Sequence, residues 1–165
     1  RDRVAADPGI HYSELMRALD LAPGQVQYHL RRLERAGRVE RLERYGRTHY
    51  FPPGYDERDR TALAVLRRET ARDVVVYLLE SGPTRPTEVA DALGVARSTL
   101  EYHLDRLVER DLVEKRRDDR GRVTLAPVDP EATAALLGHI TPSLPARLTD
   151  RLERLVDSLL EPADR

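Results

Sequence analysis

Apolar residues recur at helical spacing through the first third of the chain. They lie at Leu15, Ala18, Leu19 and Leu21, and then at Val26, Leu30 and Leu33. The first stripe predicts a short helix, and Ser13 is placed to cap its start. The second stripe predicts a longer helix, which Pro23 opens and Gly37 ends. We therefore expect two helices joined by a tight turn.

After the second helix the pattern changes to that of strands. Residues 39–42 and residues 48–51 are short stretches of strand character, and turn residues around Gly46 separate them. This pattern predicts a β-hairpin that follows the helix pair.

Most of this pattern occurs twice in the chain. Residues 13–42 align without gaps to residues 87–116, and 11 of the 30 aligned positions are identical. The identical positions are Glu14, Ala18, Leu19, Ala22, Tyr28, His29, Leu30, Arg32, Leu33, Val39 and Glu40, each matched 74 residues later. A repeat of this length indicates one structural unit used twice. In the second copy Thr87 is the expected helix cap, and a hairpin is predicted over residues 113–125.

The residues of the repeat resemble a known family. The resemblance lies in residues 21–30, Leu33, Gly37, Val39, the turn at Gly46 and Arg47, and Tyr50, and again in residues 95–104, Leu107, Leu112 and Val113. Each copy resembles the winged helix-turn-helix of ArsR- and MarR-like transcription regulators. The pair resembles the tandem winged-helix regulators common in archaea, over residues 1–127. This resemblance implies a mainly α fold with small β-hairpin wings, which is an α+β class, and a role in DNA binding.

Prolines and a glycine at residues 52–54 mark a boundary between the copies. We predict one winged helix-turn-helix domain over residues 1–54, a second over residues 55–128, and a C-terminal helical tail over residues 129–165. A helix over residues 56–79 is expected to link the two units stiffly. The 74-residue offset places Arg1 opposite Val75, so we expect the chain to begin partway through a helix.

The C-terminal tail carries a leucine stripe. Asp129 is a plausible helix start and Gly138 a plausible helix end, and the stripe follows at Leu148, Leu152, Leu155 and Leu159. A stripe with this spacing either packs on its own domain or joins two copies of the chain as a homodimer. Both interpretations stay open at this point.

The outward face of the second helix holds the candidate DNA contacts of the first copy. They are Gln25, Gln27, Tyr28, Arg31, Arg32 and Arg35, together with Arg44 and Arg47 on the wing. Arginine suits guanine and phosphate, and glutamine suits adenine. From Tyr28 to Tyr50, seven arginines oppose three glutamates. The alternative is a solvated helix face, with arginines paired to neighbours on the same helix, and a solvated hairpin tip.

The second copy carries carboxylates on the same face. Glu101, Asp105 and Glu109 stand where the first copy has glutamine or arginine, and carboxylates repel phosphates. The remaining candidate contacts are Ser98, Thr99, Tyr102 and Arg106, with Arg116, Arg117, Arg120 and Arg122 on the wing. We therefore predict that the N-terminal copy is the main DNA reader. The second copy would bind more weakly, act through its wing, or use this face for a partner.

The composition excludes several classes of protein. The chain has no cysteine and a formal net charge of -1, so it has neither disulfides nor thiolate metal sites. No apolar run approaches the roughly 20 residues that cross a bilayer, which favours a cytoplasmic protein without membrane contact in this segment. The histidines are not spaced as metal ligands on one helix, and packing or backbone hydrogen bonding is the favoured interpretation. No phosphate-binding loop or nucleophile motif occurs, so no enzyme activity, cofactor or metal is expected.

These patterns favour a sequence-specific regulator of transcription that binds double-stranded DNA. The alternative is a winged-helix scaffold that binds proteins and no nucleic acid, which the near-neutral charge and the acidic second helix support. Binding of double-stranded RNA is a third and weaker interpretation.

Overall fold

The structure, a computed structural model, describes residues 1–140. The chain divides into two compact units, of which unit 1 is Arg1–Ala64 and unit 2 begins at Val65. The sequence placed the boundary earlier, after residue 54. The predicted leucine stripe beyond residue 140 lies outside the described residues.

Unit 1 combines a helix pair with a small antiparallel sheet. Its elements are α1 (Asp2–Ala6), β1 (Ile10–His11), α2 (Tyr12–Ala18), α3 (Pro23–Arg35), β2 (Glu40–Arg44) and β3 (Arg47–Phe51), and α4 (Glu57–Leu66) follows. The sheet has the order β1-β3-β2. The predicted helix-turn-helix and hairpin are confirmed. Strand β1 was not predicted, because two residues are too few to show an alternating pattern.

Apolar residues from both helices and from the sheet form the core of unit 1. The buried cluster consists of Val4, Ile10, Leu15, Val26, Leu30, Val39 and Tyr50. Helix α3 contributes two of these residues one turn apart, and Leu33 packs against the cluster from the next turn. This anchoring turns the opposite side of α3 toward solvent.

Two predicted helix caps are wrong. Helix α2 begins at Tyr12 with His11 as its N-cap, so Ser13 lies inside the helix and is exposed. The corresponding helix of unit 2 begins at Pro86 with Arg85 as its N-cap, so Thr87 is also inside. In each case the residue that precedes the helix is already extended, and the chain needs no hydroxyl cap at the predicted position.

The predicted end of α3 at Gly37 is confirmed. Gly37 has a φ of 63°, and its N–H donates to the carbonyl of Glu34 at 3.0 Å. The next N–H, from Arg38, donates to the carbonyl of Leu33 at 2.8 Å. This left-handed turn satisfies the carbonyls at the end of the helix.

Unit 2 repeats the plan with a longer helix in front and another behind. Its elements are α5 (Glu69–Ser81), α6 (Pro86–Leu93), α7 (Arg97–Glu109), β4 (Val113–Arg117), β5 (Val123–Pro127) and α8 (Pro130–Gly138). Leu100, Leu104 and Leu107 of α7 are fully buried, as their spacing predicts. Asp129 accepts a hydrogen bond from the N–H of Ala132 at 3.0 Å, which confirms the predicted start of α8.

The predicted continuous helix over residues 56–79 is wrong. Helix α4 ends at Leu66, and α5 begins at Glu69 after Arg68, whose backbone is extended with φ -84° and ψ 120°. Four polar residues, from Arg67 to Thr70, interrupt the apolar stripe at this point. A continuous helix would have placed Glu69 and Thr70 where the stripe needs apolar side chains.

Candidate nucleic-acid interface

The exposed face of α3 is polar and cationic. Val26 and Leu30 are 1% and 5% exposed, whereas Gln27, Arg31 and Arg35 are exposed. Tyr28 is 58% exposed beside them. The predicted orientation of this helix is therefore confirmed, while contact with DNA stays a prediction.

The arginines of this face are available for an external partner. Within residues 1–140, the side chains of Arg31 and Arg35 form no ion pair and no hydrogen bond. The guanidinium of Arg32 lies over the ring of Tyr28, 5.8 Å from its centroid. That cation–π contact holds the two side chains together on the outer surface. Pairing along the helix therefore occurs for Arg32 and not for Arg31 and Arg35 within the described residues, and the alternative of a solvated helix face stays open.

Gln25 has a structural task that the sequence did not predict. Its Oε1 accepts a hydrogen bond from the N–H of Ala22 at 3.0 Å, which closes the start of α3. The side-chain amide donor of Gln25 is exposed and can still meet a base, so its predicted DNA contact remains a prediction.

The wing of unit 1 ends in a tight two-residue turn. Tyr45 and Gly46 have φ angles of 51° and 73°, and the strands pair up to Arg44 and Arg47 on either side. This turn suits the twist of a hairpin, and it leaves Arg47 exposed. Arg44 lies 3.8 Å from the carboxylate of Glu57, a neighbour that sequence spacing could not reveal.

On the outward face of α7 in unit 2, some of the predicted contact residues interact with one another. Ser98 and Thr99 are exposed, and Tyr102 is 48% exposed. Arg106, however, stacks on Tyr102 with 3.5 Å between its guanidinium carbon and the ring centroid, and it donates to the carbonyl of Tyr102 at 2.7 Å. The predicted cationic contact of this helix is therefore engaged within the helix.

Lys115 on strand β4 forms ion pairs with the same face of α7. Its Nζ lies 2.8 Å from Glu101 and 3.9 Å from Asp105, both on α7. The wing of unit 2 thus offsets part of the negative charge of α7. Sequence reasoning missed Lys115, since only the folded hairpin brings it to residues that precede it by ten or more positions.

Half of the predicted wing arginines in unit 2 are also paired. Arg116 binds Glu114 at 2.6 Å, and Arg122 binds Asp118 at 2.7 Å. The N–H groups of Arg122 and Arg120 also donate to Asp118, and these hydrogen bonds lower the pKa of its carboxyl. Arg117 and Arg120 are exposed, and within the described residues their side chains form no ion pair.

The histidines do not form a metal site in the part of the chain that the structure describes. No group of three ligand residues there could hold a metal ion. His49 is buried, and its Nδ1 donates to the carbonyl of Gly9 at 2.8 Å. His29 and His103 each lie edge to face with the tyrosine before them. Among residues 1–140, no helix combines the length and apolar character needed to cross a membrane.

Two helix-turn-helix families match consecutive parts of the chain. One, described as an N-terminal HTH domain (HTH_HVO_0163_N), matches residues 1–63, and the other, described as a helix-turn-helix domain (HTH_20), matches residues 59–116. Two helix-turn-helix domains in tandem are therefore shown over residues 1–116, as the repeat predicted.

Individual relatives extend this comparison. A protein of the archaeon Methanocaldococcus jannaschii, described as an uncharacterized HTH-type transcriptional regulator (MJ1398), is 30% identical over 115 residues. The match covers 70% of this chain and 29% of the archaeal protein, so the chain spans less than a third of that relative's length.

Two solved structures of AbfR are also similar. The disulfide-formed structure has a TM-score of 0.42 and covers 89% of this chain and 90% of AbfR, with 17% identity. The reduced structure bound to DNA has a TM-score of 0.43 and covers 90% of this chain and 99% of AbfR, with 17% identity.

Proposed function

We propose that this chain is a sequence-specific DNA-binding segment of a transcription regulator, with unit 1 as the main reader. The observation that carries the proposal is the exposed face of α3, where Arg31 and Arg35 have no partner within the described residues. The helix-turn-helix matches and the description of the archaeal relative as a transcriptional regulator support the same function.

The side chains of α3 and α7 support stronger DNA binding by unit 1 than by unit 2. An arginine on a helix in the major groove can donate two hydrogen bonds to guanine or neutralise a phosphate. Asp105 and Glu109 at the matching positions of α7 repel phosphates, and Lys115 is already paired there. At these matching helix positions, unit 1 therefore carries unpaired positive charge and unit 2 carries negative charge.

Charge reversal on α3 tests the proposal directly. Changing Arg31 and Arg35 to glutamate should reduce affinity for duplex DNA at least hundredfold, because phosphate attraction becomes repulsion over two positions. Fluorescence anisotropy with a labelled duplex, measured over a range of salt concentrations, gives the affinity. If the unaltered chain neutralises about six phosphates, a plot of the logarithm of affinity against the logarithm of salt concentration should have a slope of about -5.

A matched control comes from the second copy. Changing Asp105 and Glu109 to alanine should leave affinity unchanged or strengthen it, because that pair contributes only negative charge at the same helix positions. Equal loss of binding from the two double variants would contradict the assignment of unit 1 as the main reader. Absence of any salt-dependent association by the unaltered chain would contradict DNA binding itself and favour the protein scaffold.

The acidic face of α7 favours a protein partner as the second role of unit 2. Lys115 pairs with two of its carboxylates, Glu101 and Asp105, and Tyr102 and Val108 are exposed on the same helix. This role does not compete with DNA reading by unit 1, since it uses a different helix.

A further inference from the structure

A polar cleft of about 260 Å³ lies in unit 1 between α3 and the β2–β3 hairpin. We call it the unit 1 cleft. Its lining includes three residues with hydroxyl groups, Tyr12, Thr48 and Tyr50, and two arginines, Arg31 and Arg41. Arg31 and Gln27, which also lines the cleft, are predicted DNA contacts, and the other lining residues are not. The cleft therefore brings together hydrogen-bond donors from a helix start, a recognition helix and a wing.

The tyrosines of the cleft have unused hydrogen-bonding capacity. The hydroxyl oxygen of Tyr12 is buried and has no hydrogen-bond partner within the described residues. A buried hydroxyl without a partner is destabilising, so an oxygen acceptor that entered the cleft would recover this loss. Tyr50 is 6% exposed, and burial, with the nearby Glu34, raises the pKa of its phenol. Tyr50 therefore stays protonated and able to donate at neutral pH.

The second copy lacks the hydroxyl groups and the first arginine of this cleft, and of the cations only Arg41 has a basic counterpart, Lys115. The 74-residue offset pairs Tyr12 with Pro86 and Arg31 with Asp105. On the wings, Tyr50 lies opposite Arg41 on the neighbouring strand, and Leu125 lies opposite Lys115, which is the residue that matches Arg41.

The same comparison of strand register matches Thr48 with Val123, since they lie opposite Glu43 and Arg117. All three hydroxyl groups of the unit 1 cleft are thus replaced by side chains without one. The shared fold explains the framework of the cleft, but it does not explain why hydroxyl groups line the cleft in only one copy.

We propose that the unit 1 cleft binds one phosphate group of the DNA backbone. The inference rests on the proposed DNA binding and deepens it, because it assigns a phosphate contact to residues outside the exposed face of α3. The hydroxyls of Tyr12, Thr48 and Tyr50 donate hydrogen bonds to phosphate oxygens, and Arg31 supplies the positive charge. Arg41 also pairs with Glu43, so it is the secondary cation of the site.

The position of the cleft suits a backbone phosphate better than a base edge. Base edges are read by side chains that project from a helix into a groove, whereas phosphates are held by donors that converge from several elements. A phosphate seated here fixes the register of α3 on the duplex without carrying sequence information.

Glu34 limits the strength of this site. It is the one carboxylate among the residues that line the cleft, and its charge acts on Tyr50. An anion that enters the cleft is repelled by Glu34 and attracted by the arginines. Removal of this negative charge therefore has the opposite effect to removal of a hydroxyl.

Substitutions that remove one hydroxyl group each test whether the unit 1 cleft binds a phosphate. Tyr50→Phe and Thr48→Val should each weaken duplex binding by roughly fivefold to tenfold, the effect of one lost hydrogen bond to a charged group. Glu34→Gln should tighten binding by a similar factor. Tyr77→Phe removes the same atom from α5 in unit 2 and should change nothing. Thermal unfolding of each variant, followed by circular dichroism, verifies that the fold is retained.

A chemically altered duplex identifies the ligand. Neutral methylphosphonate groups are placed one at a time along the backbone, and the unaltered chain should lose affinity at one or a few positions. At the position that contacts the cleft, Tyr50→Phe should cause no further loss, while Tyr77→Phe should behave as the unaltered chain does. Inorganic phosphate should compete no better than chloride at equal ionic strength, because a backbone phosphate is held by the whole duplex.

Each remaining outcome overturns a defined statement. Duplex binding that is salt-dependent but equal in the unaltered chain, Tyr50→Phe, Thr48→Val and Glu34→Gln refutes the cleft and leaves the proposed function standing. Binding of inorganic phosphate that Tyr50→Phe abolishes, with duplex affinity unchanged in Tyr50→Phe, shows a site for free phosphate and refutes the DNA assignment. No duplex binding by the unaltered chain removes both the proposed function and this inference.

Discussion

Asp111 holds a backbone conformation that glycine adopts at the matching position of unit 1. The helix ends of the two copies have the same geometry, with φ angles of 63° at Gly37 and 53° at Asp111. The N–H of Leu112 donates to the carbonyl of Leu107 at 2.9 Å, as that of Arg38 does to Leu33. The turn is therefore imposed by the repeated fold, and only unit 1 has the residue that adopts it without strain.

Replacement of Asp111 by glycine should stabilise the chain. A left-handed residue with a Cβ costs about 1–2 kcal/mol, and the greater freedom of glycine in the unfolded chain offsets about 0.4–1 kcal/mol of that gain. We expect a net increase of about 0.5–1 kcal/mol in the free energy of unfolding, measured by urea denaturation. Gly37→Asp is the matched reverse change and should destabilise. A lower midpoint for Asp111→Gly would contradict this account of the helix end.

The residue pair His29 and His103 shows how one repeated residue acquires different surroundings. His29 is exposed, whereas His103 is partly buried and its Nδ1 has no hydrogen-bond partner within the described residues. Burial lowers the pKa of His103, and the positive charges of Arg68 and Arg106 lower it further. The folded chain therefore prefers the neutral imidazole at this position.

This preference gives a pH dependence with a defined sign. The unfolded chain takes up a proton on His103 near the ordinary pKa of 6.5, and the folded chain does so only at lower pH. The unfolded state thus binds more protons below that value, and stability falls as the pH decreases through and below it. His103→Gln should flatten the fall in unfolding free energy between about pH 7 and pH 5, measured by urea denaturation. An identical pH profile for the two proteins would contradict this role.

At the level of single side chains, the sequence predicted which residues are exposed better than it predicted which residues they contact. The exposed face of α3 followed from the spacing of Val26 and Leu30 alone, because helical period determines direction. The contact of Lys115 could not be found this way, because it depends on a strand that folding brings close to α7. The contacts of Gln25 with Ala22 and of Arg106 with Tyr102 join residues three and four positions apart, so the spacing permits them without showing that they form.

At the level of elements, the sequence predicted the long and periodic ones. The helix-turn-helix and the wing were predicted in both copies, because the same apolar stripe and the same turn residues occur twice. The errors lie where the signal is short or interrupted. Strand β1 has two residues, and the polar residues 67–70 divide what was predicted as a single helix into α4 and α5.

Residues 1–140 carry one framework twice, and the exposed cationic face that we propose to bind DNA occurs on only one of the two copies. Helices α3 and α7 each have 13 residues and anchor through apolar residues at matching positions. Their outward residues are independent of that anchoring, since an exposed side chain contributes little to the fold. Surface charge can therefore change in one copy while both copies keep their structure.

Transfer of the arginines of α3 to α7 should turn unit 2 into a second DNA-binding surface. Asp105→Arg with Glu109→Arg copies Arg31 and Arg35, and it also releases Lys115 from Asp105. Two additional phosphate contacts should steepen the log–log salt slope of duplex affinity by about 2. Glu131→Arg adds positive charge on α8 instead and should leave the slope nearly unchanged. An unchanged slope in the double variant would show that α7 does not face DNA in the complex, whereas a steeper slope would show that charge alone separates the two copies.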